Sequence, residues 1–267
     1  MGYIVDKDGN VIEEERRVRP GGPREKGGSS SYSSTGQLSL VRVFGYMFIG
    51  LLITAGIALG LGAILRNYLG QPSLSDSELS TAAVTYLIVM VGSAIAILIL
   101  SILLNVFLYK GKHSLVVPAI LYTVFMGVLL SSFTLFIDWS VLGLAFGITS
   151  ASFGLMALIA LLSKGNLNGL AIAGLGLLIG ALLLGLVNWI LWMVMPGTWS
   201  MLNIIITFIV LAAMMLITIY DMWRIKKICE HGEMNTNMEL YCAFTLYTDF
   251  IYILIRIILI ILASKKN

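Results

Sequence analysis

Asp249 lies near the middle of the last apolar segment, Tyr241 to Leu262, and Asp221 closes the apolar segment before it. Ionisable side chains inside a membrane span cost about 2.5–3.5 kcal/mol each on insertion scales, and they are usually functional. On the last segment Cys242, Thr245, Asp249, Tyr252 and Arg256 recur at spacings of 3, 4, 3 and 4, which is one face of a helix. Thr218 and Asp221 share a face of the preceding segment, with Arg224 three residues further on. A polar face within a span is expected to look into the bundle interior or a wet cavity, leaving Phe250, Ile251, Leu254 and Ile258 around the other sides.

Chain reversal between roughly Cys229 and Asn237 brings the two acids to similar depth. Asp221 stands about 8 residues before that turn and Asp249 about 12 after it, a difference of ~6 Å at 1.5 Å rise per residue. Two carboxylates that meet in a poorly hydrated place cannot both ionise cheaply, so they titrate as a coupled pair. Losing the shared proton sets up repulsion between the helices. Helix movement relieves it, or a divalent cation does, for which carboxylate and hydroxyl oxygens are suitable hard ligands. The plainer alternative pairs Asp221 with Arg224 or Lys226, and Asp249 with a Tyr or Thr of a neighbouring helix. Asp138, beside Trp139, reads as an interfacial acid at the end of the third span.

The elements that must position these residues follow from composition. The chain has 267 residues, 58% hydrophobic and only 12% charged, with a mean hydropathy of +0.95. A soluble domain would need far more polar surface. Apolar runs of at least about 18 residues recur, the signal of a polytopic, all-α membrane protein. Seven spans are expected near 42–65, 82–109, 115–137, 141–163, 168–194, 202–224 and 239–263. Residues 1–40 form a polar tail that cannot bury a core and is expected to be disordered, the alternative being a segment that binds partners or anionic lipid. No cleavable signal peptide is visible, since the first apolar run begins near Val41, so span 1 is expected to act as a signal anchor.

With the N-terminus inside, thirteen Lys and Arg fall on the inner side, against Arg66, Lys265 and Lys266 outside, an asymmetry that favours this orientation. Trp139, Trp192 and Trp199 then lie at the outer interface and Trp223 at the inner one. Asp249 and Arg256 nearly cancel the apolar gain of span 7, which leaves a re-entrant final segment as an alternative to a full crossing. Gly56-x-x-x-Gly60 and Gly176-x-x-x-Gly180 match small-residue packing spacing, read as close packing within the bundle rather than as a dimer motif.

Other chemistry finds little support. Cys229 and Cys242 form no CxxC pair and are expected to be reduced thiols. His113 and His231 lack the spaced partners of a metal site, and no GxSxG, HExxH or phosphate loop is present, so an enzyme is disfavoured. Span 7 has no lysine for a retinal Schiff base. No resident cofactor and no nucleic-acid partner is called for.

The residues also resemble a known family. Ala243-Phe244-Thr245-Leu246-Tyr247-Thr248-Asp249-Phe250-Ile251 resembles the A-x-x-L-Y-x-D-F-I signature of the Bax inhibitor-1 family. Ile219-Tyr220-Asp221 is similar to its Y-D element, and Gly50-Leu51-Leu52-Ile53-Thr54-Ala55 to its G-L-x-x-T-A opening. Gly127 and Ser131 in span 3 are compatible with a small-residue segment of the family, and Phe146, Thr149 and Phe153 in span 4 with an F-x-x-T-x-x-x-F spacing. The resemblance covers residues 41–263. It implies seven helices with the last one central, and a pH-sensitive Ca²⁺ leak in which the family's aspartate pair falls on Asp221 and Asp249. Family members with this mechanism can carry an arginine in span 2 that latches onto the aspartates; here residues 82–109 hold no charged side chain, leaving Arg256 or Arg224 as substitutes. The loop between spans 6 and 7 also looks long, with Glu230, Glu233 and Glu239 nearby.

The expectation is therefore a passive, proton-gated cation pathway in a bacterial plasma membrane. Asp221 and Asp249 act as sensor and transient Ca²⁺ ligands, with Thr218, Thr245, Tyr252, Arg256 and Arg224 as neighbours and Ca²⁺ and H⁺ as the permeant and gating ions. A non-conducting regulator of other membrane proteins, such as quality-control proteases, and a proton-coupled transporter are the competing readings.

Overall fold

The computed structural model describes residues 4–5, 11–12, 34–69, 76–110, 114–194, 199–230 and 234–265. The chain divides into two units, Met1–Tyr32 and Ser33–Asn267. In the first, strands β1 (Ile4–Val5) and β2 (Val11–Ile12) pair antiparallel, Ile4 opposite Ile12 and Val5 opposite Val11. The rest of the tail expected to be disordered, up to residue 33, lies outside the described residues, as do His113, His231 and the side chains of Trp192 and Trp199.

The second unit is seven helices: α1 (Ser34–Leu69), α2 (Asp76–Lys110), α3 (Val116–Phe136), α4 (Trp139–Leu162), α5 (Asn168–Val194), α6 (Trp199–Glu230) and α7 (Thr236–Lys265). All seven are long and apolar enough to cross a membrane. The chain is a polytopic α-helical membrane protein. Within hydrocarbon the helix satisfies each backbone group internally, which is why apolar runs of this length adopt it.

Several boundaries differ from expectation; helix α2, for one, begins at Asp76 rather than near 82. Helix α1 begins at Ser34, inside the stretch read as tail. Helix α6 runs on past 224 to Glu230, because Lys226 finds acceptors inside the protein, so Asp221 sits within the helix rather than at its end. The connection to α7 is accordingly short, and Glu230 and Glu239 belong to the helices rather than to a long loop. Helix α7 is unbroken over 30 residues, so the re-entrant alternative does not hold.

Helix α7 packs against α1, α2, α3, α4 and α6, whereas α5 packs on α6. The core follows from that: Leu246, Tyr247, Phe250, Ile251, Ile253 and Ile257 are all buried. Aromatic edges lock it in place. Phe250 meets Phe153 at 5.4 Å and Phe146 at 5.7 Å between ring centroids, both T-shaped. Tyr122 of α3 meets Phe244 edge-on at 4.7 Å.

Close backbone approach occurs at glycines other than those singled out by spacing. A Cβ on Gly127 would lie 2.8 Å from Ile57 Cβ and 2.9 Å from Thr54 O, so only glycine lets α3 come this near α1. Gly62 faces Thr134 in the same manner, and Gly174 faces Ile217 and Ala213. By contrast Gly56, Gly60, Gly176 and Gly180 have nothing within 4 Å, so the close-packing reading of those two pairs is corrected. A four-residue repeat defines a stripe along a helix; it does not say whether that stripe meets protein.

Candidate ion and proton site

Helices α6 and α7 form an antiparallel pair joined by a short connection. Asp249 sits in the middle of α7 and is 5% exposed; Asp221 on α6 is partly buried. The charge of Asp221 and the hydroxyl of Thr218, itself fully buried, both act on the Asp249 carboxyl group. The other carboxyl oxygen, Oδ2, has no hydrogen-bond partner among the described residues. A buried carboxyl oxygen without a partner is costly and uncommon.

The remaining expected neighbours separate. Arg224 is exposed and acts electrostatically on Asp221, though no ion pair within 4 Å joins them. Thr245 donates to Tyr241 O of its own helix at 3.1 Å. Tyr252 is 49% exposed and acts on Tyr122 of α3 rather than on either acid. Arg256 is half-buried further along α7. The single polar face read from the 3-4-3-4 spacing is therefore divided: Cys242 and Asp249 are enclosed, while Tyr252 reaches the surface. The sides read as apolar surroundings, Phe250, Ile251 and Ile258, are equally buried. A helix surrounded by several neighbours buries most of its circumference, so periodicity alone does not find its inward face.

The motif residues also support one another. Thr54 on α1 and Tyr247 on α7 share a hydrogen bond of 2.6 Å, and Thr54 donates to Thr123 O at 3.0 Å. A Cβ on Gly50 would meet the Tyr247 ring at 3.3 Å. The opening motif of span 1 thus holds the tyrosine that lies two residues before Asp249. On the opposite flank, a groove of about 340 Å³ runs past Phe250, Ile251, Thr54 and Phe146 without being lined by either acid.

Sequence reasoning missed two polar anchors near the α6–α7 connection. Lys226, 6% exposed, donates to Leu161 O at 2.6 Å and Ser163 O at 3.3 Å, closing the C-terminus of α4, and lies 3.9 Å from Glu230. Glu239, 2% exposed, pairs with Arg42 at 3.6 Å. Arg42 had been visible only as a topology charge, and Lys226 as that and as an alternative partner for Asp221. The signal that distinguishes Lys226 is its place inside a helix that continues beyond the apolar run. Among the described residues no group of three or more His, Cys, Asp or Glu is arranged to hold a metal ion.

A bundle of seven apolar helices, with a carboxylate enclosed at the α6–α7 seam and a tyrosine–threonine clasp beside it, is a multi-pass membrane protein with ionisable chemistry in its interior. The family described as inhibitor of apoptosis-promoting Bax1 matches residues 37–267, and the chain belongs to this Bax inhibitor-1 family. It is 27% identical over 229 residues to the inner membrane protein YbhL of Escherichia coli K12, covering 83% of this chain and 90% of that protein. The same identity and coverage hold for YbhL of Escherichia coli O6:H1.

Proposed function

We propose that the chain is a passive cation pathway for Ca²⁺, gated by a proton that Asp221 and Asp249 share, in a bacterial plasma membrane with the N-terminus inside. The observation that carries this reading is the enclosed Asp249 carboxyl group, acted on by Asp221 and with Oδ2 unpartnered. Support for the location comes from the Lys and Arg asymmetry and from a relative named as an inner membrane protein.

The gate works through hydrogen-bond bookkeeping at Thr218. Its hydroxyl has one proton, which it donates to Met214 O at 2.8 Å. In that state it has no proton to offer the Asp249 carboxyl group. Ionised Asp249 needs donors, so Thr218 must turn towards it and give up Met214, while Asp221 repels the new charge. Separation of α6 from α7 relieves that repulsion, and so does a hard divalent cation between the two carboxylates. Of the two arginines that could stand in for a span 2 latch, Arg224 is the one that acts on Asp221.

Ca²⁺ flux through purified protein in liposomes tests this reading at several pH values. Asp249→Asn and Asp221→Asn are expected to remove the pH dependence; unchanged flux and unchanged pH response in both would reject it. One observation favours the non-conducting regulator instead. Helix α5 leaves Gly176 and Gly180 on an open face, where a partner helix can approach closely. That reading requires flux to be absent from the parent protein at every pH.

A further inference from the structure

The chain's two cysteines, read from sequence as unremarkable thiols, lie on the same helix seam as the acids. On α6, Cys229 stands eight residues beyond Asp221; on α7, Cys242 stands seven residues before Asp249. Each offset is about two helical turns, and antiparallel packing pairs residues so displaced. The seam that brings Asp221 to Asp249 therefore also brings Cys229 to Cys242, nearer the α6–α7 connection. Their electrostatics agree with this placement: the groups acting on Cys242 are Cys229 first, then Arg224, Asp221 and Glu239.

A third sulfur completes the cluster. The Cys229 thiol donates to the Met234 thioether at 3.4 Å, and both cysteines are 3% exposed. Two sulfurs at that separation both reach one ion at a metal–sulfur distance of about 2.3 Å. Of the glutamates acting on Cys229, Glu239 is engaged with Arg42 at 3.6 Å and Glu230 with Lys227 at 3.6 Å, which leaves two thiols and a thioether as donors. Zinc prefers four nitrogen and sulfur ligands in a tetrahedron, and hard cations prefer oxygen. Thiolate and thioether together select a soft monovalent ion.

We propose that Cys229, Cys242 and Met234 form a three-sulfur site for a soft monovalent cation of the Cu(I) class. Binding replaces the thiol protons with the metal, so up to two protons leave as two metal–thiolate bonds form, while Met234 contributes a lone pair; no electron is transferred. The ion ties α6 to α7 two turns from the acids.

The test uses reduced, full-length protein in nanodiscs, titrated anaerobically with Cu(I) against a chromogenic Cu(I) chelator. One Cu(I) per chain is expected to be withheld from the chelator. Cys229→Ser and Cys242→Ser each weaken retention by about 100-fold or more, above the range of outer-shell changes, and Met234→Leu by about 10-fold. X-ray absorption of the loaded parent, which needs no variant to fold, should show sulfur neighbours alone. Retention unaffected by the serine variants, a parent that surrenders Cu(I) as readily as the doubly substituted chain, or a shell of nitrogen and oxygen would each overturn the site.

Discussion

Helices α5 and α7 are similar in hydropathy, 2.6 and 2.2 over their most apolar stretches, yet 11% of that stretch is buried in α5 and 50% in α7. Helix α5 leans on α6 and shows its leucines to the surroundings, Leu182 at 64% and Leu183 at 57% exposed. Helix α7 buries Leu246 and Ile253 completely. Hydropathy reports whether a segment partitions into a bilayer, since lipid tails are as apolar as leucine. It does not report whether the segment meets lipid or protein. What separates the two helices is polar content: α7 carries Glu239, Tyr247, Asp249 and Arg256 over a continuous span, and such groups require protein around them.

That contrast breaks or sharpens under substitution. The largest effect is expected where backbones touch. Gly127→Leu should destabilise the bundle by about 3 kcal/mol or prevent folding, because Ile57 and the Thr54 carbonyl occupy the added volume. The equivalent change on the open face of α5, Gly176→Leu, should leave stability within about 0.5 kcal/mol. Thermal unfolding in detergent compares the pair, and equal losses would erase the distinction between a helix face that meets protein, as on α3, and one left open, as on α5.

A smaller effect is expected at Lys226→Met, which keeps the aliphatic stem but leaves Leu161 O and Ser163 O without their donor. The expected cost is about 1–3 kcal/mol, with faster hydrogen exchange confined to the end of α4. Tyr247→Phe removes one hydrogen bond, to Thr54, and should cost about 0.6 kcal/mol, the mean for interhelical bonds in membranes. If Tyr247→Phe proves the costlier of the two, the clasp beside Asp249 bears more of the α7 packing than the geometry implies.

Much of this architecture was legible beforehand because membrane physics simplifies the code. Span number followed from runs of apolar residues, and the acids stood out as the expensive exceptions. Burial direction was not legible. Tyr252 shares a stripe with Asp249 but ends at the surface, since Phe250 and Ile251 on the adjacent sides also found protein partners. Nor were the end of α6 and the close-packed glycines, because Lys226 and Gly127 take their meaning from a carbonyl 65 residues away and a side chain 70 residues away in sequence but adjacent in space. The sulfur cluster was hidden for the same reason: Cys229, Met234 and Cys242 have no motif spacing, and only the helix seam gathers them.

The central claim is that Asp221 and Asp249 titrate as one unit. Difference infrared titration of the carboxyl band in nanodisc-embedded protein tests it most directly, comparing the parent with Asp221→Asn and Asp249→Asn. The account predicts one buried carboxyl proton per chain, whose titration midpoint moves when the partner acid is replaced. Two acids that titrate independently, each unmoved by loss of the other, would contradict it.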